Sequence, residues 1–291
     1  MILRVIVACH NRRELTSRAV VDVRMAADRA GLRSETYVFD DGSTDGTGEA
    51  LRELDPPVMV LQGDGTAFWA KGMAVAERAA LSDASDTDWL LWLNDDVVLD
   101  RDAMARARIH MSEYPDRVLV GALREPGVPE TSYGGYRLWN RWMHPTRIAL
   151  VRPSDSLRTI DTFNGNFVLV PVGVARTLGG IDGDFPHSGA DLDYGFRCVK
   201  RGIAVRLLPG TFGECGRRPA APPGALLADW RALVDARAPT GPRTVSRLLR
   251  KHAPIRWPIY FMSKYAAWWL RRLTGNGPRA GDSTLPYAKP H

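Results

Sequence analysis

Cysteine is scarce in this chain. Only Cys9, Cys198 and Cys215 occur in 291 residues, too far apart for a zinc spacing or a disulfide framework, so a reducing compartment is expected. Long apolar runs are missing too. No stretch offers ~18 uninterrupted apolar residues, which argues against a transmembrane helix. The opening "MILRVIVACHNR" is apolar only until Arg4 and His10 interrupt it, and it lacks the h-region and cleavage site of a secretory signal. Neither a Gly-x-Gly-x-x-Gly nor a Gly-x-x-x-x-Gly-Lys-Ser/Thr follows the first β-type run, so the dinucleotide-binding and P-loop signatures are excluded. Acidic residues are absent between Asp235 and Asp282, a segment with ten Lys or Arg. Outside it, 29 of the 39 basic residues face all 33 acidic ones. The net charge of +6 therefore belongs to the tail, which is expected to face something anionic.

Composition is otherwise ordinary for a globular protein, with 45% hydrophobic and 25% charged residues. The first half alternates short apolar runs (2–8, 35–40, 58–62, 89–94) with helical patterns (14–30, 45–54, 66–81, 101–113). Gly31 stands where a helix C′ residue belongs. Fully apolar strands alternating with helices predict a doubly wound, mostly parallel α/β sheet with helices on both faces. From about Val118 the pattern becomes irregular and antiparallel. It then resumes with a strand in "NGNFVLVP" (164–171), helices at 172–178 and 190–202, and a closing strand at 203–209. The Pro/Ala-rich "RRPAAPPGA" (217–225) separates this body from the tail. The expected division is a body over 1–216, with halves at about 1–100 and 101–216, a linker over 217–240 and a basic helical tail over 241–291.

In an open parallel sheet, ligands collect at the carboxyl ends of the strands. Three polar clusters fall there: His10-Asn11-Arg12, Asp40-Asp41-Gly42-Ser43 and Asn94-Asp95-Asp96. One acidic turn followed by a helix cap would need no function. Two such clusters repel and call for a cation or hydrogen-bond donors. A hard divalent ion, Mg²⁺ or Mn²⁺, commonly takes one or two carboxylates plus substrate phosphates. Asp191 and Asp193 of "HSGADLDYGFR" lie two apart, so on a helix they do not share a face. One is expected to enter the site and the other to brace the helix start. Taken alone, a doubly acidic helix start with Arg197 as surface partner would be the better reading.

The set "CHNR", "VFDDGSTDGT", "LWLNDDV", "TFNGNFVLVP" and "HSGADLDYGFRCVKRG", in this order, resembles a family-2 glycosyltransferase with the GT-A fold. "GDGTAFWAKGM" (63–73) is similar to the donor-site loop of the rhamnosyl- and galactofuranosyl-transferase-like branch. The likeness spans roughly residues 2–216. It implies an inverting, metal-dependent transfer from a nucleotide-diphosphate sugar, UDP or dTDP foremost, to a glycan or lipid-linked acceptor in cell-envelope or secondary polysaccharide synthesis. It implies that Asp40 or Asp41 binds the base, that Asp96 ligates Mn²⁺ or Mg²⁺, and that Asp95 faces the donor. The first position of that metal motif is Asn94 rather than Asp. Asp191 falls at the general base, preceded by Ala190 instead of the usual Glu. Cys215 or Glu214 stands where relatives place a metal-ligating His.

Arg12 and Lys71 are expected to add contacts to the diphosphate, with His10 beside them on the donor side. Trp69, in a glycine-rich loop, is read as a sugar platform, although a core Trp is the plainer reading. Asn164 and Asn166 are either a turn or ligands for sugar hydroxyls. His187 is a structural hydrogen-bonder or an acceptor contact, and His144 and His252 have no supporting cluster in the sequence. Two other readings are a sugar nucleotidyltransferase, which normally shows a Gly-rich triphosphate loop, and an idle nucleotide-sugar-binding module.

In the tail, "PIYFMSKYAAWWLRRL" (258–273) sets Met262, Ala266, Trp269 and Leu273 on one side. Lys264, Trp268, Arg271 and Arg272 lie mostly on another. Packing on the body or on a second copy as a homodimer is weighed evenly with contact to an anionic membrane. Nucleic acid is not expected, because no nucleic-acid module accompanies the charge. The resulting localisation is cytoplasmic, peripheral on the inner face of the membrane.

Overall fold

A computed structural model describes residues 1–140, 144–217, 224–235, 238 and 240–274. The order is β1 (Ile2–Cys9), α1 (Arg13–Arg29), β2 (Arg33–Asp40), α2 (Thr47–Arg52), β3 (Met59–Gln62), α3 (Phe68–Leu81), β4 (Trp89–Leu93), β5 (Val98–Leu99) and α4 (Ala103–Glu113). Then come β6 (Val118–Arg124), β7 (Thr131–Tyr133), β8 (Gly135–Asn140), β9 (His144–Leu150), β10 (Arg158–Thr159), β11 (Thr162–Phe163), β12 (Phe167–Pro171) and α5 (Val172–Leu178). The chain ends with α6 (Ala190–Lys200), β13 (Val205–Glu214), α7 (Leu226–Val234), α8 (Pro242–His252) and α9 (Trp257–Leu273).

The main sheet runs β10-β13-β6-β12-β4-β1-β2-β3, and β11-β8-β9 form a small second sheet. β3, β2, β1 and β4 are parallel, as the alternation of strands and helices predicts. β12 is antiparallel to both β4 and β6, whereas β13 is parallel to β6. The closing strand is longer than its apolar run suggests, reaching Glu214, and β10 rather than β13 ends the sheet order.

Both faces are covered, which explains why the central strands are almost wholly apolar, the buried Arg4 of β1 apart. Val5, Val7, Leu91 and Leu93 point into a core with Val20 and Val23 of α1 and Met104 of α4. Ile6, Leu90 and Trp92 point the other way, into a core with Met73 of α3 and Tyr194 of α6. α1 ends at Gly31, whose φ of +65° is the left-handed turn that an L side chain rarely adopts. The three cysteines are buried and unpaired.

One expectation for the C-terminal region changes. The stretch read as a linker contains α7, from Leu226 to Val234. On α9 the buried side is Tyr265 and Trp268, packed with Trp230 and Leu233 of α7, whereas Met262 and Leu273 are exposed. Trp230 gives the aromatic side a partner, and that partner lies in the segment read as a linker. The last part of the predicted tail, 275–291, lies outside the described residues. Among those described, no helix is long and apolar enough to cross a membrane.

Candidate functional site

The predicted polar clusters meet along one edge of the sheet. His10–Arg12, Asp40–Asp41 and Asn94–Asp96 stand at the carboxyl ends of β1, β2 and β4. Cys215 follows the same end of β13. Because β12 runs the other way, it brings its amino end to this edge: Phe167 pairs with Leu93, and Asn94 N–H donates to the Asn166 carbonyl at 3.2 Å. The segment Asn164-Gly165-Asn166 thus lies beside the acidic turn.

Hydrogen bonds join these pieces. Arg12 Nη1 donates to Asp95 Oδ1 at 2.7 Å and Asp96 Oδ2 at 3.2 Å, so two adjacent carboxylates share one guanidinium. Burial raises the Asp95 carboxyl to about 6, against the opposing charge of Arg12. Asp96 is the more accessible of the pair. Its Oδ1 lies 3.5 Å from Cys215 Sγ, which also lies 3.5 Å from Asn166 Nδ2. Burial, with the Asp96 charge, pushes the Cys215 thiol up to about 12, so the thiol keeps its proton as a donor to Asp96. Glu214 instead pairs with Arg124 at 3.2 Å.

Trp69 Nε1 donates to Asn94 Oδ1 at 2.8 Å, and its ring lies over Gly165. A Cβ added at Gly165 would stand 2.5 Å from that ring and 3.6 Å from the Asp191 Cβ, so a larger residue cannot enter without displacing the indole. Gly165 N–H donates to Asp191 Oδ2 at 3.1 Å, and Leu192 N–H to Oδ1 at 2.8 Å. Burial raises the Asp191 carboxyl despite these donors. A carboxylate with a raised pKa, part-accessible at the first turn of a helix, is suited to take up a proton.

Asp193 does not brace the helix start as expected; its carboxylate instead ties α6 to α8. It is fully buried, bonded to Arg197 Nε at 2.7 Å, Lys251 Nζ at 2.8 Å and His252 Nε2 at 2.8 Å. Burial alone would raise it. The bonds from His252 and Lys251, with the charge of Arg197, outweigh this and hold the carboxyl at about 2. His252 therefore has the cluster that sequence spacing did not show. It is brought there by α8, which is fastened further by Arg247 and Lys251 on Asp182.

Asp41 serves the loop before α3. Its carboxylate accepts from the backbone N–H groups of Gly65 at 3.0 Å, Ala67 at 3.2 Å and Phe68 at 2.8 Å. This anchoring holds Phe68 at a φ of +54°, a left-handed conformation costly for a bulky side chain. Asp40 accepts from Ser43 N–H at 3.0 Å. His10 Nδ1 lies 2.6 Å from the Asp41 carbonyl and its Nε2 lies 3.1 Å from Asn11 Nδ2.

On the other side of the edge, Tyr136 O–H donates to Asn164 Oδ1. Asn166 is buried, its amide turned to Cys215. His187 meets Phe68 edge to face, ring centres 5.9 Å apart. Lys71, exposed in the first turn of α3, joins the network through no hydrogen bond or ion pair among the described residues. Tyr136, Phe68 and His252 were not singled out by their spacing; the two aromatics look like ordinary core residues in a sequence.

Comparison with known proteins agrees with this architecture. A mannosyltransferase from Pyrobaculum calidifontis, solved with GDP-Man and Mn²⁺, superposes with a TM-score of 0.51 at 19% identity, over 90% of this chain and 68% of that one. Residues 1–349 of TarS from S. aureus, solved with UDP-GlcNAc, superpose with a TM-score of 0.54 at 13% identity, over 94% of this chain and 88% of that one. A longer TarS chain is covered only to 37%. At such identities the likeness is one of fold, and the fold is GT-A. No curated protein matches. The family model described as "Glycosyl transferase family 2" matches residues 4–167, more than half of the sequence and the whole edge from His10 to Asn166. This chain belongs to glycosyl transferase family 2.

Proposed function

We propose that the protein transfers a hexose or deoxyhexose from a nucleoside-diphosphate sugar, carried on UDP or dTDP, to a hydroxyl of a glycan or lipid-linked acceptor. The transfer inverts the anomeric centre and serves cell-envelope or secondary polysaccharide synthesis. The resemblance of residues 63–73 to the donor-site loop of rhamnosyl- and galactofuranosyl-transferases supports this class of donor. The observation that carries the reading is the pairing of Gly165 N–H with Asp191 Oδ2. It sets a proton-accepting carboxylate one residue from the Asn166 that contacts both Asn94 and Cys215.

In this reading Asp191 takes the proton of the acceptor hydroxyl as its oxygen attacks the anomeric carbon. Attack opposite the departing diphosphate gives inversion. Trp69 offers its indole face to the sugar, and Arg12 and Lys71 place positive charge toward the diphosphate. Asp40, Asp41 and His10 shape the nucleoside side. Asn164, Asn166 and His187 line the acceptor side, Asn166 through its backbone and neighbours, since its amide is engaged.

The carboxylates of Asp95 and Asp96 already converge on one cation, the Arg12 guanidinium. Two carboxylates around one positive centre fit the way Mg²⁺ or Mn²⁺ is held beside a diphosphate. Asp96, the more accessible, is the direct ligand, with Asp95 beside it. Such an ion supplies Lewis-acid stabilisation of charge on the leaving phosphate. A thiol suits a hard cation poorly, so Cys215 here orients Asp96 through its S–H and replaces the expected ligand with a hydrogen-bond donor. The test is donor hydrolysis and thermal shift across UDP-, dTDP- and GDP-sugars with Mn²⁺ or Mg²⁺. Metal-dependent turnover of one donor is expected; neither turnover nor shift with any of them would point to an idle binding module.

A further inference from the structure

α9 buries one side and leaves a different apolar side bare. Ile259, Met262, Leu270 and Leu273 are 68, 65, 64 and 72% exposed, and Ala266 is exposed among them. At about 100° per residue these five positions fall within an arc of roughly 80°. Ile255, two residues before the helix, is also exposed. Scattered surface apolar residues are normal, but a continuous stripe on one helix face marks an interaction surface.

Charge flanks this stripe on both sides. Arg256 and Arg271 are exposed along one flank. On the other, a cavity of about 390 Å³ opens between α8 and α9, lined by Arg243, Arg250, Trp257, Phe261 and Met262 among others. The Arg250 guanidinium lies 4.3 Å from the centre of the Trp257 ring. Arg243 and Arg250 are exposed, whereas the inward-facing Arg247, Lys251 and Arg272 are paired with Asp182 and Asp229. With no Asp or Glu between 235 and 282, the outward side is of one sign.

We propose that α9 lies in the plane of an anionic lipid surface. Ile259, Met262, Leu270 and Leu273 enter the boundary between headgroups and acyl chains. Arg243, Arg250, Arg256 and Arg271 meet lipid phosphates, and Trp257 sits at headgroup level. A second copy is the weaker occupant, because helix-on-helix pairing of this face brings two arginine-flanked stripes together, whereas anionic headgroups complement them. Exposure and charge define this surface, so the absence of sugar transfer would leave it standing. On the sugar-transfer reading it gives a lipid-borne acceptor a route to α6, since α8 is fastened to the helix that bears Asp191.

Flotation of the full chain with phosphatidylcholine vesicles, with and without about 30% phosphatidylglycerol, tests this. The chain is expected to float with the anionic vesicles and to stay in the soluble fraction with the neutral ones. Ile259→Glu with Met262→Glu should lower the partition at least about tenfold. Arg243→Gln and Arg250→Gln should each lower it about fivefold. Unchanged melting temperatures establish that the variants fold; if the Glu variant does not, the Arg variants alone decide. Equal flotation with neutral vesicles, no flotation at all, or folded variants that float like the parent would overturn the proposal. So would a concentration-dependent dimer that the Glu variant breaks while the parent ignores vesicles.

Discussion

His252 and Asp193 share a hydrogen bond of 2.8 Å that crosses from the C-terminal helices to the helix bearing Asp191. The carboxylate is sealed from solvent and carries three basic partners, two of them from α8. Replacing His252 by Ala is expected to cost about 1–3 kcal/mol through the lost bond. Because Asp193 lies two residues from Asp191, kcat should fall while donor affinity holds. Melting temperature and a kcat-against-KM split check this; a stable variant with unchanged kcat would show that α8 does not position α6.

The same cluster sets an acid dependence. Asp193 is held at about 2 against an ordinary value near 3.9, so its contribution is complete above the unfolded value and lost as pH falls through the folded one. The size is roughly 2–3 kcal/mol, lost between about pH 5 and 2. His252 is lowered, chiefly by burial, so its neutral form favours the fold and acidification below its ordinary value destabilises in the same direction. Thermal unfolding against pH should show a weaker acid dependence in Asp193→Asn than in the parent.

Asp191→Asn should bind donor normally and lose about 10²–10⁴-fold in transfer. Single-turnover kinetics beside donor-induced thermal shift separates the two. Full activity would end the assignment of Asp191 as base.

Asp96→Ala is expected to abolish the metal-dependent part of donor binding. Arg12→Gln removes the one cation that Asp95 and Asp96 share, so their mutual repulsion should lower the melting temperature without metal and enlarge the stabilisation by Mn²⁺. Calorimetry with Mn²⁺ alone reads both effects.

Gly165→Ala should damage activity more than stability. Its methyl would meet the Trp69 ring at 2.5 Å, and turning that ring breaks its bond to Asn94. The check is a fall in turnover well beyond the fall in melting temperature.

The parallel half of the sheet was legible because its strands are mostly apolar runs and each is followed by a helical period. The acidic clusters were legible because carboxylates are out of place beside such strands. The reversal of β12 was not, since a fully buried strand reads the same in either direction. Nor was the service of Asp41 to the backbone of residues 65–68, because a carboxylate bound to N–H groups and one awaiting a ligand look alike in sequence. His252 was passed over because its partner lies 59 positions away. Which side of α9 is buried was not legible, because the partner of its aromatic side, Trp230, stands on a helix inside an apparent linker.

β12 also acts as a ruler. Its pairing of Phe167 with Leu93 fixes where Gly165 stands relative to Asn94, and through them the spacing between Asp191 and the acidic pair. Inserting or deleting a single residue in this strand would invert which of its side chains face each core. The distance between Asp191 and the Asp95–Asp96 pair is therefore protected by the stability of the core itself: a chain able to miscount there would also disrupt its own packing.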